Sequence, residues 1–95
     1  MSDLSVTDVA GARRYEITVD GVLAGFAAYR DRDGHRVFTH TEIDPKFEGR
    51  GLGSQLVRAA LDDVRERGMT IVPMCPFVRS WIDSHDGYAD LIARS

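Results

Sequence analysis

The sequence has few of the features that mark secreted and membrane proteins. It contains one cysteine in 95 residues, so a disulfide within the chain is impossible and a secreted disulfide scaffold is excluded. No charged-then-apolar leader opens the chain, and no apolar run approaches the roughly 18 residues that a membrane-spanning helix needs. We therefore expect a cytoplasmic protein with no membrane-spanning segment.

A surplus of positive charge is also absent. The formal net charge is -3, whereas nucleic-acid-binding domains usually carry a basic patch or stripe, so we expect no nucleic-acid partner. With 43% hydrophobic and 28% charged residues, the composition is typical of a soluble globular chain. We find no repeat, low-complexity tract or linker, so residues 1–95 are predicted to form one small domain. Residues 1–11 mix polar and small side chains and are predicted to be a loose terminus.

The first half of the chain has the pattern of three β-strands. Residues 14–19 alternate polar and apolar side chains, which is the period of a half-buried strand. Asp20-Gly21 is a strong hairpin signal, so residues 22–29 form the second predicted strand, and residues 36–43 form the third. Strict alternation along the third strand predicts two faces, one with Val37, Thr39, Thr41 and Ile43, the other with Phe38, His40 and Glu42.

The second half of the chain alternates between helix and strand. Residues 52–67 carry an apolar stripe at helical spacing, residues 69–74 form a short buried strand that ends at Cys75, and Pro76 opens a helix over 77–84. A final short helix is predicted over 88–93. A right-handed crossover makes the third and fourth strands parallel. The prediction is thus a mixed α/β fold in which an antiparallel meander leads into a helix, a parallel strand and C-terminal helices.

The loop before the long helix is the strongest functional signal. It carries Gly49, Gly51 and Gly53, which let the backbone approach a ligand while the free N–H groups of the first helical turn point at it. No lysine follows Gly53, so this is not a P-loop, and Gly-x-Gly-x-Gly after three strands is not the dinucleotide fingerprint. The pyrophosphate of coenzyme A remains a good candidate for this cradle.

Several motifs follow one another in a recognisable order. They are Phe38-x-His40-Thr41-Glu42-Ile43, the loop Phe-Glu-Gly-Arg-Gly-Leu-Gly-Ser at 47–54, Pro-Met-Cys-Pro-Phe-Val at 73–78, and Trp81-Ile82 followed by His85-Asp86-Gly87-Tyr88. Over roughly residues 14–92 the chain resembles the small single-domain branch of the GNAT superfamily of N-acetyltransferases. The segment Cys-Pro-Phe-Val with the upstream His-Thr-Glu is more specific than the glycine loop.

The resemblance implies acetyl-CoA as cofactor, an amine as acceptor and a defined set of cofactor-binding residues. The backbone of Ile43 is expected to pair with the pantetheine arm, and the pyrophosphate is expected on the N–H groups of Gly49, Arg50, Gly51, Leu52, Gly53 and Ser54. The chain departs from the family motif at Glu48, where a Gln or Arg would favour phosphate. We expect Arg50 to supply positive charge in its place.

Cys75 and His40 are the candidate catalytic residues. Cys75 ends a strand and precedes a helix whose field favours a thiolate, so it is either a neighbour of the acetyl thioester, a covalent acetyl carrier, or a small core residue. Direct attack by the amine needs only orientation and a base. His40 is the better candidate base because its ordinary pKa is near neutrality. Glu42 is the second, and a purely structural role remains open for both.

The remaining candidates are weaker. Tyr88 resembles the tyrosine that protonates the departing thiolate in some GNAT enzymes, but packing against the core is the simpler interpretation. Phe77 and Trp81 have the spacing of a core stripe, and the histidines show no metal-ligand spacing with Cys75, so we predict no metal site. The leading hypothesis is an acetyl-CoA-dependent N-acetyltransferase. The alternative is a non-catalytic acyl-CoA-binding or sensing module.

Overall fold

The structure is a computed structural model that describes residues 3–93. Five strands form a single sheet in the order β1-β2-β3-β4-β5, and two helices pack against it. Short 3-10 turns connect or follow these elements at Ala10–Ala12, Pro45–Phe47 and Ala89–Leu91. The elements are β1 (Leu4–Val9), β2 (Arg14–Val19), β3 (Val22–Arg32), β4 (His35–Ile43), α1 (Leu52–Glu66), β5 (Thr70–Pro73) and α2 (Pro76–Ser84).

The sheet topology follows from the connections. The strands β1 to β4 pair antiparallel, and β5 pairs parallel to β4 after the α1 crossover, which confirms the predicted mixed α/β fold. The hairpin between β2 and β3 turns at Asp20 and Gly21, with φ angles of 51° and 82°. Two consecutive positive φ values match the right-handed twist of the flanking strands. The Asp-Gly pair in the sequence was therefore sufficient to predict this hairpin.

The N-terminal segment differs from the predicted loose terminus. Residues Leu4–Val9 form an edge strand that pairs with β2 along its whole length. Its Asp8 carboxylate accepts a hydrogen bond from the hydroxyl of Tyr29 and forms an ion pair with Arg67. The sequence of this segment has only a weak strand pattern. It forms a strand because the edge of β2 presents a row of backbone N–H and C=O groups that pair with it.

The core lies between one face of the sheet and the two helices. The apolar stripe of α1 is buried as predicted and packs against the inward side chains of the sheet, among them Tyr15, Ile17, Phe38 and Ile71. The helix α2 adds Val78, Trp81 and Ile82 to the same cluster. The opposite face of the sheet, which we call the open face, carries the alternate strand residues and neither helix covers it.

A β-bulge in β4 changes the predicted faces of that strand. Phe38 pairs with Tyr29 and His40 with Ala28, so Thr39 is an extra residue without a partner in β3. Because the extra residue shifts the alternation, Phe38 lies on the helix face together with Thr41 and Ile43. His40 and Glu42 therefore lie on the open face, and the prediction that they share a face with Phe38 was wrong.

The chain ends differently from the predicted final helix. Only the single 3-10 turn Ala89–Leu91 forms, and Ile92 then makes a parallel bridge to Ile71. The N–H of Ala93 donates to the carbonyl of Ile71 at 2.8 Å. This bridge extends the exposed edge of β5, which explains why the backbone leaves helical geometry here. Between residues 3 and 93, neither helix has the length and apolarity needed to cross a bilayer.

Candidate functional site

The site begins where two parallel strands separate. The register of β4 and β5 ends at Phe38 and Pro73, and the N–H of Cys75 makes a further bond to the carbonyl of Phe38 at 2.9 Å. Beyond this point the backbone of β4 continues to Ile43 without pairing to β5 in the described part of the chain. Such a divergence at the carboxyl ends of neighbouring strands is where open α/β sheets bind ligands.

A cleft of about 440 Å³ occupies the divergence on the helix face. One wall is the end of β4, the floor is the loop with the first turn of α1, and the opposite wall is the start of α2. The lining residues are Thr41, Ile43, Phe47, Glu48, Gly49, Gly51, Leu52, Gly53, Ser54 and Phe77. The predicted cofactor-binding residues therefore line one cleft, with the exception of Arg50.

The loop presents backbone donors to this cleft. Gly49 and Gly51 have φ angles of 83° and 72°, which side-chain-bearing residues rarely adopt. Gly51 is the N-cap of α1, with no capping side chain. Within residues 3–93, the N–H groups of residues 49–54 donate to no protein acceptor. Unpartnered donors at a helix N-terminus form a ready anion site.

The third glycine has a different structural reason from the other two. A Cβ atom at Gly53 would lie 2.8 Å from the Cζ atom of Phe77, so this glycine allows the ring to lie against the first turn of α1. Phe77 is 45% exposed and lines the cleft. The interpretation of Phe77 as a core residue was therefore wrong: its ring forms an apolar wall of the cleft. The sequence did contain a signal for this position, because Phe77 was predicted in the first turn of a helix at the same edge of the sheet as the glycine loop.

The two helices that bound the cleft are tied together by one hydrogen bond. The indole N–H of buried Trp81 donates to Ser54 Oγ at 2.8 Å. The guanidinium of Arg58 lies over the Trp81 ring, 5.5 Å from its centroid. Ser54 thus keeps its backbone N–H toward the cleft while its hydroxyl fixes α2. Trp81 has the core position that its spacing predicted.

The charged side chains at the loop favour an anion less than the backbone N–H groups of the loop do. The exposed side chain of Glu48 lines the cleft. Arg50 does not line it: its guanidinium lies over the ring of Phe47, 5.4 Å from the centroid. The positive charge expected to compensate for Glu48 is therefore directed elsewhere. In this structure the groups at the loop that could attract an anion are its backbone N–H groups.

Cys75 lies directly behind the wall of the cleft. It is the N-cap residue of α2, as predicted, and is 3% exposed. Its thiol donates to Thr41 Oγ1 at 3.4 Å. Because Thr41 lines the cleft and Cys75 does not, a ligand in the cleft meets the threonine hydroxyl first. The thiol is held within the core, one contact further in.

His40 lies on the opposite side of the sheet from Cys75. Its ring is 5.9 Å from that of Phe26, and its Nε2 is 3.6 Å from Glu42 Oε1. Both side chains are largely solvent-exposed, at 60% and 63%. The structure therefore does not bring the two candidate catalytic residues together in the cleft. They flank the end of β4 from opposite faces.

Tyr88 lies outside the cleft. Its hydroxyl donates to Asp62 Oδ1 at 2.9 Å and its ring packs edge-on against Trp81. That hydrogen bond, with burial, raises the pKa of Tyr88 above its ordinary value. These contacts show the packing role that was the simpler interpretation. Across the described residues, no group of three or more His, Cys, Asp or Glu side chains has the arrangement of a metal site.

A second polar centre, at the other end of the sheet, was missed by the sequence analysis. Arg36 is 4% exposed and donates two hydrogen bonds to Asp31, at 2.7 and 2.8 Å, and one to the hydroxyl of Tyr15 at 2.7 Å. It also reaches Asp8 at 3.4 Å. The hydrogen bonds from Arg36 lower the pKa of Asp31, and burial with a bond to Asp8 raises the pKa of Tyr29 to about 12. Arg36 lies two residues before Phe38, so alternation along β4 places both on the helix face, and this was the available signal.

Comparison with known proteins gives a consistent result. Residues 14–91 match a family model described as GCN5-related N-acetyl-transferase. Among solved structures, a GCN5-like protein from Staphylococcus aureus superposes with a TM-score of 0.72 at 24% identity, covering 100% of this chain and 93% of that one. The ribosomal-protein-S18-alanine N-acetyltransferase from Escherichia coli has a TM-score of 0.61 at 18% identity, covering 75% and 64%.

A more distant likeness completes the comparison. Ard1 from Thermoplasma volcanium has a TM-score of 0.56 at 26% identity, covering 62% of this chain and 41% of that one. The chain thus spans nearly the whole of the first relative but about two thirds or less of the other two. No curated protein matches the chain.

Proposed function

The chain belongs to the family of GCN5-related N-acetyltransferases, and from this premise we propose that it transfers the acetyl group of acetyl-CoA to an amine. Acetyl transfer is the general activity of the family. The observation that carries the proposal is the set of N–H groups at 49–54, which have no protein acceptor among residues 3–93 and border a cleft between two diverging strands. A diphosphate needs such donors, and the apolar cleft beyond them suits a flexible thiol arm.

The cleft suggests how the cofactor would bind. The pyrophosphate of acetyl-CoA would accept hydrogen bonds from the amides of the loop, in the field of the α1 N-terminus. The pantetheine arm would run along the unpaired edge of β4 at Ile43, opposite the ring of Phe77. In this direction the thioester would lie near Thr41, beyond the last pair of β4 and β5 at Phe38 and Pro73.

The transfer needs one bond made and one broken. The nitrogen of a neutral amine attacks the thioester carbonyl, the carbon–sulfur bond breaks, and the coenzyme leaves as a thiolate that takes up a proton. A base must first remove the proton from the ammonium form of the acceptor. We assign this role to His40, because it lies on the open face at the end of β4 and is exposed to an incoming acceptor.

For Cys75 we propose a positioning role beside the acetyl group. The thiol is 3% exposed and donates to Thr41 Oγ1, so it orients the hydroxyl that lines the cleft. A covalent acetyl-cysteine would require this thiol to leave its bond and move toward the cleft. Direct attack by the amine avoids that step, and we favour it.

One observation favours the alternative of a non-catalytic acyl-CoA-binding module. The two candidate catalytic side chains lie on opposite faces of the sheet, so no preformed nucleophile–base pair exists in the described structure. A module that only holds acyl-CoA would need the loop and the cleft but neither side chain. The two functions therefore predict different effects of His40 and Cys75 variants on turnover.

Release of coenzyme A thiol from acetyl-CoA, measured over a panel of primary amines, separates the two functions. We expect His40→Gln to keep acetyl-CoA affinity and to lower acetyl transfer by about 100-fold, a typical size for removal of a general base. Cys75→Ala is expected to retain at least part of the turnover. An intact mass that shows acetyl on Cys75, together with complete loss of turnover in Cys75→Ala, would establish the covalent route instead. Acetyl-CoA binding without turnover over the whole panel would favour the binding module.

A further inference from the structure

A second cleft lies on the open face of the sheet. It has a volume of about 440 Å³ and is lined by Arg30, Asp31, Arg32, Val37, Thr39 and Met74. Val37 stands between buried Arg36 and Phe38, and Arg30 follows buried Tyr29. Because side chains alternate along a strand, Val37 and Arg30 point to the open face. Neither lines the cofactor cleft.

This open-face cleft flanks the same divergence as the cofactor cleft. Thr39, the bulge residue, lines the open-face cleft, and Thr41, two residues along the same strand, lines the cofactor cleft. Met74 follows the last paired residue of β5 and is 69% exposed. A thioester that lies between the strand ends at Thr41 therefore has the coenzyme on one face and the open-face cleft on the other.

The side chains of the open-face cleft define the chemistry of its ligand. In the described part of the chain, the exposed guanidinium groups of Arg30 and Arg32 form no ion pair, whereas the Asp31 carboxylate is held by Arg36 in two hydrogen bonds. Val37 and Met74 supply apolar surface between the strands. Methylene groups with a terminal carboxylate fit this combination, since guanidinium binds carboxylate through paired hydrogen bonds.

We propose that the open-face cleft binds the acceptor, and that the acceptor is an amine with its own carboxylate. This inference rests on the proposed acetyl transfer. His40 pairs with Ala28, and Arg30 lies two residues beyond Ala28 on β3, so His40 and Arg30 occupy diagonal positions on neighbouring strands, about 7–8 Å apart. A straight six-carbon amino acid spans a similar distance between its amine and its carboxylate. A second cationic group in place of the carboxylate would be repelled by the two arginines.

Three six-carbon amines that differ only at the far end test the inference. They are 6-aminohexanoate, hexylamine and 1,6-diaminohexane, each titrated at constant ionic strength into the protein saturated with acetyl-CoA. Binding is read from the backbone ¹⁵N–¹H signals of residues 30, 32, 37, 39 and 74. We expect 6-aminohexanoate to shift these signals with an affinity about tenfold or more above that of hexylamine. The diamine is expected to bind most weakly.

Variants make the test specific to the two arginines. The double variant Arg30→Gln, Arg32→Gln should bind 6-aminohexanoate about tenfold more weakly and hexylamine unchanged. The matched control is Arg79→Gln, an exposed arginine of α2 that lines neither cleft. Equal affinity for the three amines, no shift at these residues with 6-aminohexanoate, or an equal loss in the control variant would each overturn the inference.

The same samples separate this inference from the proposed function. Addition of acetyl-CoA alone should shift the signals of residues 49–54, which lie on the helix face. If those signals move and the carboxylate has no effect, the acceptor inference fails while acetyl-CoA binding stands. If acetyl-CoA moves none of them, the proposed function itself fails.

Discussion

The two ends of the sheet differ in whether their polar groups have hydrogen-bond partners within the protein. Around Arg36, the Asp8, Asp31, Tyr15 and Tyr29 side chains all bind one another or the guanidinium. Around the glycine loop, by contrast, the amides of residues 49–54 have no protein partner in the described chain. Both ends belong to one sheet and the strand β4 connects them.

We infer from this difference that the Arg36 end of the sheet mainly stabilises the fold, whereas the glycine-loop end is available to a ligand. A buried arginine with its partners in place holds β1, β3, β4 and α1 together at one end, because a half-satisfied network would be costly. Unused donors at the other end cost little while water solvates them, and they are available to an anion. We therefore expect changes near Arg36 to alter the free energy of unfolding and changes near the loop to alter cofactor affinity.

Arg36→Met should have the largest effect. The substitution keeps an apolar stem against the ring of Tyr29, which the guanidinium carbon now approaches to 4.0 Å of its centroid. It removes the Arg36 donor from the Asp31 carboxylate and the Tyr15 hydroxyl, while Asp8 keeps Tyr29 and Arg67, so we expect a loss of about 1.5–3 kcal/mol in the free energy of unfolding. Urea denaturation followed by circular dichroism measures it.

The matched control is Arg65→Met. Arg65 forms an exposed pair with Asp90 at 2.8 Å, and such solvent-screened pairs contribute little to stability. Equal losses in the two variants would show that the buried network is not what stabilises this end of the sheet.

Gly53→Ala should mainly affect the ligand site. Its added Cβ would lie 2.8 Å from Phe77 Cζ, so the ring must move away from the first turn of α1 and change the wall of the cleft. We expect acetyl-CoA affinity to fall about tenfold, or about 1.4 kcal/mol, by isothermal titration calorimetry. Gly68→Ala is the control: its φ of +70° and open surroundings predict lost stability with unchanged affinity. Equal affinity in the two variants would contradict the role given to Phe77.

Acid should weaken the Arg36 end through Asp31. The pKa of Asp31 is lowered by its hydrogen bonds to Arg36, so its stabilising contribution is complete above the ordinary aspartate value of about 3.9 and is lost as pH falls through the lower folded value. The side chain is 48% exposed, which limits the contribution to about 1 kcal/mol.

The expected signature is a pH-dependent difference between the wild type and Asp31→Asn. Wild type should be the more stable at neutral pH, and the difference should shrink as the pH falls below about 3.9, as measured by urea denaturation. Asp83→Asn on the exposed surface of α2 serves as control. A constant difference between wild type and Asp31→Asn across this range would refute the coupling to Arg36.

Glu48→Gln should have the smallest effect and the opposite sign. Removing a carboxylate from the lining of the cleft lessens repulsion of the pyrophosphate, so we expect acetyl-CoA to bind about two- to fourfold more tightly at low salt. The gain should shrink as salt is added. Glu66→Gln at the far end of α1 carries the same charge change and should leave affinity unaltered. A comparable gain in the control would assign the effect to net charge.

Much of the fold was predictable because its signals are local. Alternation identified β2, the Asp-Gly pair identified its hairpin, and a 3.6-residue stripe identified α1. The parallel crossover then followed from chain order. The same chain order places the glycine loop after β4 and Cys75 after β5, so both were correctly predicted at one edge of the sheet.

What the sequence did not reveal depends on contacts between distant segments. The bulge at Thr39 is defined only by its pairing with β3, and it places His40 on the open face instead of beside Phe38. The strand β1 forms because β2 has a free edge, and Arg36 is buried because Asp8, Asp31 and Tyr15 converge on it. Phe77 lines the cleft because Gly53 leaves room for its ring.

A crystal structure of the protein with acetyl-CoA would test the central claim most directly. We predict oxygen atoms of the pyrophosphate within about 2.7–3.2 Å of backbone nitrogens in residues 49–54, with the thioester beside Thr41. A complex in which the coenzyme lies elsewhere, while these amides bind only water, would contradict the account.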